Sequence, residues 1–182
     1  MKPNSIGTVI TLRCTQKVRK RLRLTEPTPD SPPPTTALGD WYVNLVRFGR
    51  QQVVMATSER SLLTVLLPAR ELRQSLVPNL QRAVQELLTV LGIPPDTIGR
   101  EIAEMQPAAY ASAVNRRVLG SMNEFAWQLG AYLDRTDEAL ELARILSDTP
   151  MSAVGSKARL GIPAEVAREL LVAHYAASPF RH

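Results

Sequence analysis

The chain has 182 residues, of which 45% are hydrophobic, 21% charged and 5% aromatic. That composition supports one buried core and is not that of a disordered polymer, while apolar runs as short as Leu62-Leu63-Thr64-Val65-Leu66-Leu67 fall far below the roughly 20 residues that span a bilayer. Cys14 is the only cysteine, which excludes an intrachain disulfide and a thiolate metal cluster, and the net charge of +5 is lopsided: residues 1–25 hold seven of the 22 Lys/Arg and none of the 17 Asp/Glu.

The opening stretch, Met1 to Gly7, lacks the apolar segment of a secretory signal, so a cytoplasmic location is expected. Thr8-Val9-Ile10-Thr11-Leu12 is β-branched and alternating, and predicts a strand. Thr15 then starts a short basic helix to Leu24, with Val18 and Leu22 on one face. Pro27, Pro29, Pro32, Pro33 and Pro34 make residues 26–37 a stiff, extended connector. Trp41 to Phe48 predicts a strand, Gly49-Arg50 a turn and Gln52 to Thr57 a second strand. Trp41, Val43 and Leu45 share one face of the first, Tyr42, Asn44 and Val46 the other. After a turn at Ser58-Glu59-Arg60, Leu62 to Leu67 has the continuous apolar pattern of a central strand covered on both faces, ended by Pro68.

Helical spacing dominates the remainder. A short helix is expected from Ala69 to Leu76. Pro78 stands in the first turn of the next, which carries Leu80, Ala83, Val84, Leu87, Leu88 and Leu91 and stops at Gly92. Asp96 caps a helix bearing Ile98, Ile102 and Met105, ended by Pro107. Tyr110 to Val114 reads as a short strand or a loop. Ser121 and Glu124 have the S-x-x-E spacing of a capping box, which starts a helix at Ser121 with Met122, Phe125, Leu129, Tyr132 and Leu133 on one stripe. Thr136 caps a helix to Ser147, Thr149 to Gly161 forms an irregular link, and Pro163 opens a last helix with Val166, Ala167, Leu170 and Leu171 facing inward. The expected fold is α+β: a small, mostly antiparallel four-stranded sheet packed against four to six helices. It forms a single domain, 1–182, made of a basic strand-helix arm (1–25), the Pro-rich connector (26–37), a β-meander (38–68) and a mainly helical part (69–182).

Two constellations carry chemistry. Arg13, Lys17, Arg19, Lys20, Arg21 and Arg23 crowd the first arm, a cluster that fits a nucleic acid, another polyanion or an acidic protein partner. The same cluster also fits a solvated helix face, and no aromatic residue is interleaved to stack on bases. Asn115, Arg116, Arg117, Gly120, Ser121 and Asn123 surround the expected helix start, where backbone N–H groups and two guanidiniums favour an anion. The bland alternative is a cap, with the arginines neutralised by Glu101 or Glu104. Trp41 and Trp127 are expected in the core or at its rim, the other reading being a ligand pocket. Asp40 reads as a turn residue rather than a catalytic acid, and Glu101 and Glu104, at i, i+3, have a spacing ordinary on a helix surface, the other reading being a pair of catalytic carboxylates. His174 and His182 are too few and too far apart for a metal site, and no phosphate loop, dinucleotide fingerprint or nucleophile elbow is present. No metal or cofactor is therefore expected. The leading reading is a non-enzymatic binding domain that stays off the membrane and admits homo-oligomers. The alternatives are an antitoxin-like or immunity-type interaction module, and an enzyme acting on a phosphorylated small molecule.

Four pieces occur in fixed order: VITLRCTQKVRKRL, the proline stretch, LGDWYVNLVRFGRQQVVMATSERSLLTVLLPAREL and NRRVLGSMNEFAWQL. Over residues 9–133 they resemble a bacterial family of unknown function, domain of unknown function 6933. In that pattern a strand and basic helix lead into LG-[D/N]-WY-x-N-L, and a segment like NRSVLGSMND follows later. The resemblance implies shared roles for Asn115, Arg116, Gly120, Ser121 and Asn123, and no particular reaction. Arg117 stands where the family has Ser, and Glu124 where Asp is frequent.

Overall fold

The computed structural model describes residues 10–24, 33–106, 108–132, 135–156 and 159–176. In chain order the elements are β1 (Ile10–Cys14), α1 (Gln16–Leu22), β2 (Trp41–Phe48), β3 (Gln51–Ser58), β4 (Thr64–Pro68), α2 (Glu71–Gln74) and α3 (Leu76–Val90). They continue with α4 (Pro95–Glu104), β5 (Ala108–Ser112), α5 (Arg116–Gly130), α6 (Ala139–Ser147), β6 (Met151–Ser156), β7 (Arg159–Gly161) and α7 (Pro163–Ala176).

The α+β class is as expected, but the sheet is not the four-stranded, mostly antiparallel one. It is a five-stranded mixed sheet in the order β4-β3-β2-β1-β5. β2, β3 and β4 form the antiparallel meander, with Trp41 opposite Ser58 and Ala56 opposite Val65. β1 runs parallel to both its neighbours, Leu12 facing Trp41 on one side and Tyr110 on the other. Parallel neighbours need a long crossover rather than a hairpin, and α1 with the Pro-rich connector supplies it between β1 and β2. The fifth strand is the segment whose short-strand reading competed with a loop.

Other differences follow from partners that local spacing does not reveal. β4 is an edge strand, and its apolar run reflects α3 and α6 packed against it rather than a central position. The stretch read as an irregular link folds into the β6–β7 hairpin, with Met151 opposite Gly161. Thr15 precedes α1, yet its hydroxyl donates to Asn44 Oδ1 at 2.9 Å instead of capping the helix. Asp96 lies inside the first turn of α4, after Pro94 and Pro95. α6 begins at Ala139, where Thr136 Oγ1 accepts the N–H of Glu138. Thr8, Val9, Pro27, Pro29, Pro32 and Leu133 lie outside the described residues.

Strand alternation divides the core in two. On one face Ile10, Leu12, Trp41 and Val43 meet Leu80, Val84 and Leu87 of α3 and Leu171 of α7. On the other, Tyr42, Val46, Met55 and Leu66 meet Met122, Phe125 and Leu129 of α5 and Leu142 and Leu146 of α6. Both faces are therefore closed over the meander. On the second face, near β1, the sheet instead carries polar side chains.

Candidate functional site

The LGDWY segment is built to leave the connector and enter β2. Gly39 has φ +78°, a conformation that favours glycine, and the Arg60 side chain lies against it, 3.0 Å from where a Cβ would sit. Ser58 Oγ donates to the Leu38 carbonyl at 2.7 Å, and the Glu59 N–H donates to the Asp40 carbonyl at 2.9 Å. This clamps the segment to the β3–β4 turn and turns Asp40 inward. It is 1% exposed, not a surface turn residue. Its Oδ1 accepts the Thr11 N–H at 3.0 Å and its Oδ2 accepts Arg13 Nε at 2.7 Å. Burial pushes the Asp40 carboxyl above its ordinary value and outweighs both bonds. Burial also opposes the Arg13 charge, but the bond and charge of Asp40 hold that guanidinium above its ordinary value. A half-sheltered pair of this kind fixes geometry more than it adds stability. Beside it, Tyr42 donates to Glu59 Oε1 at 3.4 Å, and Asn115 Nδ2 donates to the same oxygen at 3.3 Å.

Asn115 thus links two motifs that are distant in sequence, and it also corrects the expected helix start. α5 begins at Arg116, with Asn115 as N-cap: its side-chain oxygen accepts from the N–H groups of Arg117 and Val118. Ser121 is not a capping residue. It is buried in the second turn and donates to the Arg117 carbonyl at 3.1 Å. The S-x-x-E spacing pointed to Ser121, but Asn115 is the start because the apolar stripe extends back to Val118. Arg117 bridges backbone, donating to the Ala153 carbonyl at 2.8 Å and the Glu59 carbonyl at 3.1 Å. The acids suggested as partners for the arginine pair are engaged elsewhere. Glu101 is fully buried and accepts from the N–H groups of Ala37 and Leu38 and from the Tyr175 hydroxyl. Glu104 faces His174 at 3.8 Å. Arg116, Gly120 and Asn123 point to solvent on the outer face of α5. The two tryptophans separate: Trp41 is fully buried, while Trp127 is 81% exposed on α5.

The basic arm divides as well. Arg13 is committed to Asp40, and Arg19 is half-buried and donates to Ser112 Oγ at 3.0 Å. Lys17, Lys20, Arg21 and Arg23 are exposed, and among the described residues none of them forms an ion pair. Val18 points the opposite way, into the core, so α1 is anchored with its charges outward. Arg73 of α2 extends the patch, with its Nε donating to the Arg21 carbonyl at 3.1 Å. Spacing within the arm could not reveal this fifth cation. Gln16, Arg19, Lys20, Arg23 and Leu24 line a shallow depression of about 360 Å³. Among the described residues no cluster of His, Cys, Asp and Glu is arranged to hold a metal ion, and no helix is long and apolar enough to cross a membrane.

A family model described as "Domain of unknown function (DUF6933)" matches residues 11–166, which takes the likeness through β7 to the first turn of α7. No curated protein and no solved structure matches the chain.

Proposed function

The chain belongs to the DUF6933 family, and from that premise we propose that it is a binding domain that engages the phosphate backbone of a nucleic acid through the outward face of α1. One observation supports this above the others: Lys17, Lys20, Arg21 and Arg23 are exposed, and Arg73 joins them from a second element, with no acid paired to any of the five among the described residues. Uncompensated cations on a rigid support gain by releasing counterions from a polyanion. The contacts read charge and not sequence, since the patch contains no aromatic stacking platform and no fork aimed from a helix long enough to enter a groove.

Fluorescence anisotropy with labelled duplex DNA and RNA at low salt tests the reading. Log affinity should fall linearly with log salt, at a slope of roughly −0.9 per phosphate engaged. Replacing Lys17, Lys20, Arg21 and Arg23 together by Ala should weaken binding at least ~10-fold and flatten the slope by about 3 to 4. Arg144→Ala is the matched control, because Arg144 already lies between Glu141 and Asp148; it should leave binding unchanged. Absence of binding by the unaltered chain at low salt, or equal losses in both variants, overturns the proposal.

A further inference from the structure

Three residues on the outer face of α5 have no partner among the described residues. Gly120 sits mid-helix, where glycine weakens a helix relative to alanine. Its φ is not positive, and a Cβ there would meet nothing within 4 Å. Two turns further along the same line, Trp127 is 81% exposed, although burying an indole is among the strongest apolar gains a side chain offers. Asn123, between them, is exposed too. Gly120 leaves a notch on the helix surface and Trp127 raises a knob.

We propose that this face binds a second copy of the chain, α5 against α5 and antiparallel, with the two-fold axis between Asn123 and Glu124. In that register each Trp127 lies over the notch at Gly120 of the partner subunit. Each Asn123 meets Glu124 of the partner subunit, an amide donor facing a carboxylate. Each Arg116 lies over Ala131 of the partner subunit, the residue that ends the helix, so a free cation sits at the negative end of the opposing dipole. Shape and charge are both self-complementary, as an isologous contact requires. One helix pair buries less than the roughly 1,200 Å² of a tight interface, so the dimer is weak and forms in the micromolar range.

Sedimentation velocity on the full chain over about 1–200 µM reads the assembly directly. The unaltered chain should pass from monomer to dimer, and its tryptophan emission should shift to the blue over the same range, because Trp41 is already buried and contributes a constant background. Trp127→Ala and Gly120→Leu should each weaken association at least ~10-fold. Gly120→Leu is the sharper variant: the free chain has room for the side chain, so its melting temperature should not fall. Exchanging knob and notch, Gly120→Trp with Trp127→Gly, should restore dimerisation, since the axis pairs these two positions. A chain that stays monomeric with concentration-independent emission overturns the proposal, and so does a dimer indifferent to Gly120→Leu. Failure of the exchanged pair to associate overturns this register.

Discussion

Tyr42 lays its ring between the sheet and α5 and its hydroxyl against Glu59, so ionising it places a phenolate beside a carboxylate in a buried site. Burial first, and then the Glu59 charge, push its pKa from 10.0 up to about 12. On the opposite face, burial pushes the Cys14 thiol from 9.0 up to about 12, against a small opposing effect of Arg19. Both groups hold their proton more tightly in the folded chain than in the unfolded one. Their contribution to stability is therefore complete below about pH 9 and is lost as pH rises toward about 12. Urea midpoints should fall steeply across that window, and the fall should be shallower in Tyr42→Phe and in Cys14→Ala. A midpoint independent of pH above about 9 contradicts this. At neutral pH the same burial keeps Cys14 a thiol, which is inert toward alkylating reagents until the chain unfolds. Neither environment was legible in the sequence. Asp40 looked like a turn residue and Glu101 like a surface acid, because their partners lie 29 and 64 positions away. Helical or strand spacing carries no information at that range.

At the scale of elements, local pattern did far better. The limits of β2 and the start of α7 follow from alternation and from Pro163, and the inward stripe of α5 follows from its helical period. What periodicity could not supply was each element's neighbour. A continuous apolar run looks the same whether a strand lies mid-sheet or at an edge under two helices, and the small residues of β6 and β7 carry little strand signal. The capping-box spacing placed the start of α5 at Ser121, five residues late, and the true cap at Asn115 is measurable. Asn115→Ala should cost about 1–2 kcal/mol, through the lost cap and the lost bond to Glu59. Ser121→Ala removes only a hydroxyl bonded to its own helix and should cost well under ~1 kcal/mol. Gly120→Ala should stabilise the chain by roughly 0.5–1 kcal/mol, read by denaturation at concentrations where it is monomeric. The opposite order for Asn115 and Ser121 would restore the capping box.

Across the whole molecule, Glu101 acts as a joint. It ties the end of the connector, at Ala37 and Leu38, to α4 and to Tyr175 of α7; burial of Tyr175 first, and then the Glu101 charge, push that hydroxyl above its ordinary value. Glu101→Ala leaves three buried donors without an acceptor and should cost about 3 kcal/mol or more. Glu101→Gln keeps one acceptor oxygen and should lose less, with urea unfolding as the measure. The mixed sheet has a consequence for the chain as it is made. β1 is held between β2 and β5, and β5 is encoded only after the whole meander and three helices. A ribosome therefore releases the first strand long before its second neighbour exists. Its far edge stays open until Ser112 has cleared the exit tunnel, so β1 is made well before the partner that closes that edge.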